Sequence, residues 1–257
     1  MHPSSYGVSQ VFPEGFPLAD QPWLILTAFV IVMVASIVQS GLGMGFGLTA
    51  APLLALIDPH LVPVPTLIIG MVTAGLGGWR ERGSIIWPEV GIGMAGRLVG
   101  VACGALVLSM LADRKAFMLV FGIMVGVAVL LSLGGRRWKF SSYSLMAMGW
   151  LSGLMGTITS VGAPPLAWIY QDRQPGAARP TLSAFFALGC AASLAGLALS
   201  GWAHPGDLLI ALAMVPPMLA GLFAARRIGG RLDRRFRPAL MAISGIAALI
   251  LIARGLM

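Results

Sequence analysis

Eight apolar runs, at 23–40, 64–79, 88–112, 116–134, 142–154, 181–201, 208–225 and 238–253, occupy most of this chain. A helix crosses bilayer hydrocarbon with roughly 20 apolar residues. Charged residues make up 10% of the 257, hydrophobic ones 58%, and the mean hydropathy is +0.89. A soluble domain carries about 25% charged residues. The expected class is therefore an all-α integral membrane protein. The net charge of +8 fits basic loops on the cytoplasmic side of a membrane better than a nucleic-acid surface.

Two further apolar runs, 46–57 and 160–170, hold about a dozen residues each, enough for about 18 Å of helix and so for a half-span. Around them the chain repeats itself. Ser40-Gly41-Leu42 returns as Ser152-Gly153-Leu154, Pro52-Leu53 as Pro165-Leu166, and Pro65-Thr66-Leu67 as Pro180-Thr181-Leu182. Matches in the same order with slowly drifting spacing point to an internal duplication. The expected organisation is a polar N-terminal tail at 1–22, a first transmembrane repeat at 23–135 and a second at 141–254, together one transmembrane domain. The tail has Glu14 and Asp20 but no Lys or Arg, which is unlike the basic start of a secretory signal.

The basic residues set the orientation. If each short run returns the chain to the side it came from, one face holds Arg80, Arg82, Arg136, Arg137, Lys139, Arg173, Arg179 and the six arginines of loop 226–237. The other holds only Arg114, Lys115 and Arg254. The positive-inside rule favours this arrangement, with both termini outside. Each half then makes an odd number of net crossings, so the halves are inverted, as is common in secondary transporters. The expected fold has about eight long spans and two short re-entrant or short-span segments.

Each short run follows a glycine-rich break: 40-SGLGMGFGLTAAPLL-54, with Gly43, Gly45 and Gly47, and 152-SGLMGTITSVGAPPLA-167, with Gly156 and Gly162. Irregular backbone survives at membrane depth only where protein or a water-filled cavity surrounds it. Helices are expected to begin near Leu48 and near Ala163. A helix N-terminus offers free N–H groups and a positive dipole end, which favour an anion. Two such ends brought together make an anion site near the membrane middle, to which Thr157, Thr159 and Ser160 can add hydroxyls. On this reading a methyl at Gly45 or Gly162 blocks the site more than it harms the fold. The bland alternative is that the glycines serve close helix packing.

These two segments, each followed by Pro-Thr-Leu, resemble the sulfite exporter TauE/SafE family of membrane transporters. The resemblance covers nearly all the chain after residue 22. It implies ion-coupled export or uptake of a sulfur-containing oxyanion such as sulfite, a sulfonate or sulfoacetate, across a bacterial inner membrane. Many members carry extra glycines where this chain has Thr159-Ser160-Val161.

Arg97 lies inside an apolar run and reads either as the partner of an anion or as a side chain snorkelling to the span's end. Its neighbours Gly96, Gly100 and Gly104 form a packing face. Thr66 and Thr181 are candidates for ligand contact or for helix capping. Asp58 and Asp172 are expected in turns outside the core, Glu89 at an interfacial helix start, and Pro216-Pro217 at a kink. Cys103 and Cys190 read as small packing residues. With only His2, His60 and His204 as histidines, no residues have the spacing of metal ligands or of a hydrolytic triad, so neither a catalytic site, a metal nor a cofactor is expected. The main reading is a secondary transporter of a small oxyanion, with a proton or sodium as possible coupling ion and a homodimer as possible assembly. An anion or water channel, or a non-transporting scaffold subunit, are the alternatives.

Overall fold

The computed structural model describes residues 21–111, 113–134, 138–228 and 236–257, with backbone alone for 228 and 236–240. Residues 1–20 of the tail, and the loop cations Arg136, Arg137, Arg231, Arg234 and Arg235, lie outside the described residues. Those described form eleven α-helices and no strand: α1 Pro22–Leu42, α2 Phe46–Ile57, α3 Val64–Arg80, α4 Trp87–Ser109, α5 Arg114–Leu133, α6 Ser142–Thr159, α7 Ala163–Tyr170, α8 Pro175–Leu199, α9 Pro205–Ala213, α10 Val215–Ile228 and α11 Phe236–Leu256.

Local chemistry sets most boundaries. Proline, whose missing N–H has no helical partner at the first turn, opens α1, α8 and α9. Asp113 and Ser141 cap α5 and α6 by accepting from the N–H of Ala116 and Ser144. Pro216-Pro217 stand in the first turn of α10, just past the break at Met214, and α9 and α10 meet there at 43°. The expected kink is present, because neither proline can donate back into α9.

Five helices, α1, α3 with its short lead-in, α4, α5 and α8, are long and apolar enough to cross a bilayer, and a sixth span arises if α9 and α10 count together. The runs at 142–154 and 238–253 form α6 and α11; α6 falls outside that set, and the fully described part of α11, Met241–Leu256, is a shorter apolar helix. Buried Ser144, Ser152, Thr157 and Thr159 lower the apolarity of α6. Outward-facing side chains such as Leu98, Leu106, Leu130, Leu199 and Leu249 are well exposed, as lipid-facing positions are.

Four pairings build the interior: α4 with α6, α3 with α8, α5 with α11, and α1 with α10. The short α2 lies against α1 and α11, and α7 against α6 and α5. The α4–α6 contact is the closest. A Cβ on Gly96 or Gly100 would run into the Met146 or Trp150 carbonyl, and one on Gly149 or Gly153 into the carbonyl of Gly93 or Arg97. Backbones touch here because side chains are missing on both faces, the packing role expected for the α4 glycines.

The matched tripeptides do not occupy equivalent places. Ser40-Gly41-Leu42 is the last turn of α1, whereas Ser152-Gly153-Leu154 lies more than a turn before the end of α6. The turns themselves superpose by role with a different spacing: Gly43 and Ser160 end α1 and α6 in the left-handed conformation, and Phe46 and Ala163 begin α2 and α7.

Candidate functional site

The first break is tighter than expected. Gly43, at φ 74°, closes α1 by donating its N–H to the Gln39 carbonyl, and Gly45, at φ 108°, precedes the first residue of α2. α2 therefore starts at Phe46, two residues before Leu48. Both angles favour glycine, which lacks the Cβ that would clash. The second break opens on Ser160 at φ 63°, a left-handed conformation in a residue with a Cβ, and Gly162, at φ −100°, precedes Ala163. Thus α7 begins where expected, with a hydroxyl residue strained in the place glycine takes in the first half.

The two breaks meet. A Cβ on Gly47 would overlap the Ser160 carbonyl, and Ser160 Oγ donates to the Pro63 carbonyl at 3.0 Å. Between them lies a cavity of about 30 Å³, lined by Gly45, Gly47 and Leu48 from one break, Ser160, Gly162 and Ala163 from the other, and Gln39, Phe46, Thr66, Leu67, Gly70, Phe186 and Cys190 around them. That is room for one or two waters. A second cavity of about 50 Å³ shares Gly45, Leu48 and Ala163.

The donors at this cavity follow from helix geometry. The first turn of α2 leaves N–H groups without carbonyl partners. Gln39 Oε1 takes that of Phe46 at 3.1 Å, while Gln39 Nε2 donates to the Gly43 carbonyl at 3.0 Å. Gly47 and Leu48 line the cavity, and among the described residues neither N–H has a partner. α7 is poorer, because Pro164 and Pro165 carry no N–H and only Ala163 donates from its first three residues.

Arg97 stands behind the second break. Its side chain is 1% exposed, so it does not snorkel. Nη1 donates to Ser152 Oγ at 2.8 Å, and Ser152 Oγ donates to the Gly162 carbonyl at 2.6 Å. The guanidinium carbon lies 5.0 Å from the Phe185 ring centroid and 5.6 Å from that of Phe186. Nε is buried without a partner. Among the described residues the ion pairs are Arg114–Asp58, Arg173–Glu89 and Arg179–Glu81, and none involves Arg97.

Of the residues expected at the site, Gly45, Gly47, Leu48, Thr66, Ser160, Gly162 and Ala163 line the cavity, and Arg97 and Gly156 sit behind it. Thr66 Oγ1 is spent on the Leu61 carbonyl at 2.7 Å. Three expectations are not met. Gly43 packs on the Arg179 carbonyl. Thr159 is buried, donating to the Met155 carbonyl and accepting from the Val161 N–H. Thr181 donates to the Ala177 carbonyl and accepts from the Ile86 N–H at 3.0 Å, tying the α3–α4 corner to α8. In each case a nearby backbone group claims the atom first.

Two acids are also placed differently. Asp58 is fully buried at the end of α2, where Oδ1 accepts from the His60 N–H. Asp172 is exposed, as expected. Glu89 opens α4 but is buried, accepting from Tyr170 at 2.7 Å and from Arg173. Residues at or behind the cavity that the sequence did not assign to the site include Gln39, Ser152, Phe186 and Cys190. Gln39 carried a signal: it is the one amide inside the first apolar run.

The model of the sulfite exporter TauE/SafE family matches residues 28–251 of the chain. Neither a curated protein nor a solved structure matches it.

Proposed function

The chain belongs to the sulfite exporter TauE/SafE family of membrane transporters, and from that premise we propose that it is a secondary transporter of a small sulfur-containing oxyanion, working by alternating access. One observation carries the reading. Arg97 is a cation wholly buried among apolar helices, with no carboxylate partner among the described residues and an unpaired Nε. An uncompensated buried charge costs several kcal/mol. A bound anion offsets that cost, and the adjoining cavity with its free α2 N–H groups is where it binds.

The inverted-repeat arrangement supports alternation. If α1–α5 and α6–α11 are the two halves, with α9 and α10 as one bent span, then the α4–α6 pair corresponds to α1–α10, and α7 on α5 corresponds to α2 on α11. α3–α8 and α5–α11 each map onto themselves. Eight spans with two re-entrant half-helices, both termini outside a bacterial inner membrane, and coupling to a proton or sodium complete the proposal.

The test is counterflow of labelled sulfite in proteoliposomes. A carrier accelerates uptake when unlabelled sulfite is trapped inside, and Arg97→Ala abolishes the signal while the protein stays monodisperse. Flux without trans-acceleration makes the protein a channel, and normal flux in Arg97→Ala removes Arg97 from the site.

A further inference from the structure

We infer that Ser152 is a positioning residue, which turns the Arg97 guanidinium so that its Nε–Nη2 edge is the part that meets the anion. This rests on the reading of the cavity above as an anion site.

Ser152 is wholly buried in α6. Its single hydroxyl proton goes to the Gly162 carbonyl at 2.6 Å. The oxygen is then left only as an acceptor, and Nη1 of Arg97 fills that place at 2.8 Å. The direction of both bonds is therefore set by the carbonyl at the α6–α7 break. Arg97 is thereby tied to the break that lines the cavity rather than to its own helix.

Of the five N–H donors on a guanidinium, one on Nη1 is engaged, by Ser152. Nε is buried without a partner, and among the described residues Nη2 makes no hydrogen bond. Glycine backbones and two rings pack closely around the group. A Cβ on Gly162 would lie 3.3 Å from Nη1, one on Gly156 3.2 Å from Nη2, and one on Gly189 would overlap Nε. Phe185 and Phe186 flank the group. The free edge carries two parallel N–H groups, the fork that matches two oxygens of one oxyanion. A halide meets such an edge through one atom. Ser152 then contributes to discrimination between polyatomic oxyanions and halides, without touching the anion itself.

The test compares thermal stabilisation of the purified full-length chain by sulfite and by chloride. The wild type should respond to sulfite at much lower concentration than to chloride. Ser152→Ala should narrow that ratio about tenfold, the weight of one charge-assisted hydrogen bond, and Ser152→Cys should fall between. A merely structural serine would lower the ligand-free melting temperature and leave the ratio alone. If Ser152→Ala does not fold, Ser152→Cys decides. A wild-type ratio in the folded serine variants, with the sulfite response lost in Arg97→Ala, overturns the positioning role. A full sulfite response in Arg97→Ala overturns the anion-site reading beneath it.

Discussion

Gly45 turns the chain at φ 108°, and a Cβ on Gly162 would sit 2.8 Å from the Ser152 carbonyl. Neither position tolerates a methyl for reasons that precede any ligand. Gly45→Ala and Gly162→Ala should therefore both lower the melting temperature of the ligand-free protein, contrary to the expectation that a methyl there spares the fold. Ser160 is the converse case. Its left-handed backbone costs roughly 1–2 kcal/mol, and its hydroxyl returns about 1 kcal/mol through the Pro63 carbonyl. Ser160→Gly should change stability by less than about 1 kcal/mol, since the two effects oppose. Ser160→Val loses the bond and adds a branched Cβ to a strained site, so it should destabilise by about 2–3 kcal/mol. Thermal melts in one detergent measure both, and a valine variant as stable as the glycine one would show that the turn is not left-handed.

At the scale of elements, the α4–α6 seam is the place where helix packing and the site depend on each other. Arg97 reaches Ser152 across this seam, and backbone-to-backbone contact at Gly96 and Gly100 sets the separation of the two helices. Gly100→Leu should push α6 away, costing several kcal/mol of the kind seen on overpacking, and should remove sulfite stabilisation with it. Gly126 on α5 has nothing within 4 Å of its Cβ position. Gly126→Ala should then be neutral, or stabilising by up to about 1 kcal/mol through helix propensity. Equal damage from the two substitutions would mean that glycine content alone, not the α4–α6 seam, governs stability. The seam was legible in sequence as a Gly-xxx-Gly-xxx-Gly face, because small residues at that spacing serve close approach. Its partner was not, since periodicity marks which face packs but not on what.

At the scale of the whole molecule, two ion pairs cross from the α3–α4 corner to the α7–α8 corner: Glu81 with Arg179, and Glu89 with Arg173. The Arg179 backbone also covers Gly43, at the first break, and we propose that this region closes the path to the cavity from the face proposed as cytoplasmic. Glu81→Gln should cost under about 1 kcal/mol, because that pair is partly exposed. Its larger effect should be faster labelling of Cys190, which lines the cavity, by a thiol reagent applied from that face in a Cys103→Ala background. Unchanged labelling would place the closing contact elsewhere. The proposed topology has its own check. Gly176, at the start of α8, and Gly206, at the start of α9, both face open space. In a cysteine-free background Gly176→Cys should label only from the cytoplasm and Gly206→Cys only from outside. Labelling of both from one side rules out the inverted arrangement.

The membrane class and the helical fold followed from the sequence alone, because burial in hydrocarbon demands long apolar runs whose backbone is satisfied internally. The two breaks were legible for a related reason: glycine and proline interrupt helices through backbone geometry, which is a property of the residue itself. The tertiary structure alone decided which polar atoms remain free. Thr66 and Thr181 both follow a proline and both donate to a backbone carbonyl, yet only Thr66 lines the cavity, and Thr159 lies buried away from it. Arg97 and Ser152 are 55 residues apart, and nothing local to either encodes that they meet. A hydrogen bond depends on distances of a few tenths of an ångström, set by how whole helices pack, and a one-dimensional pattern carries no such distance.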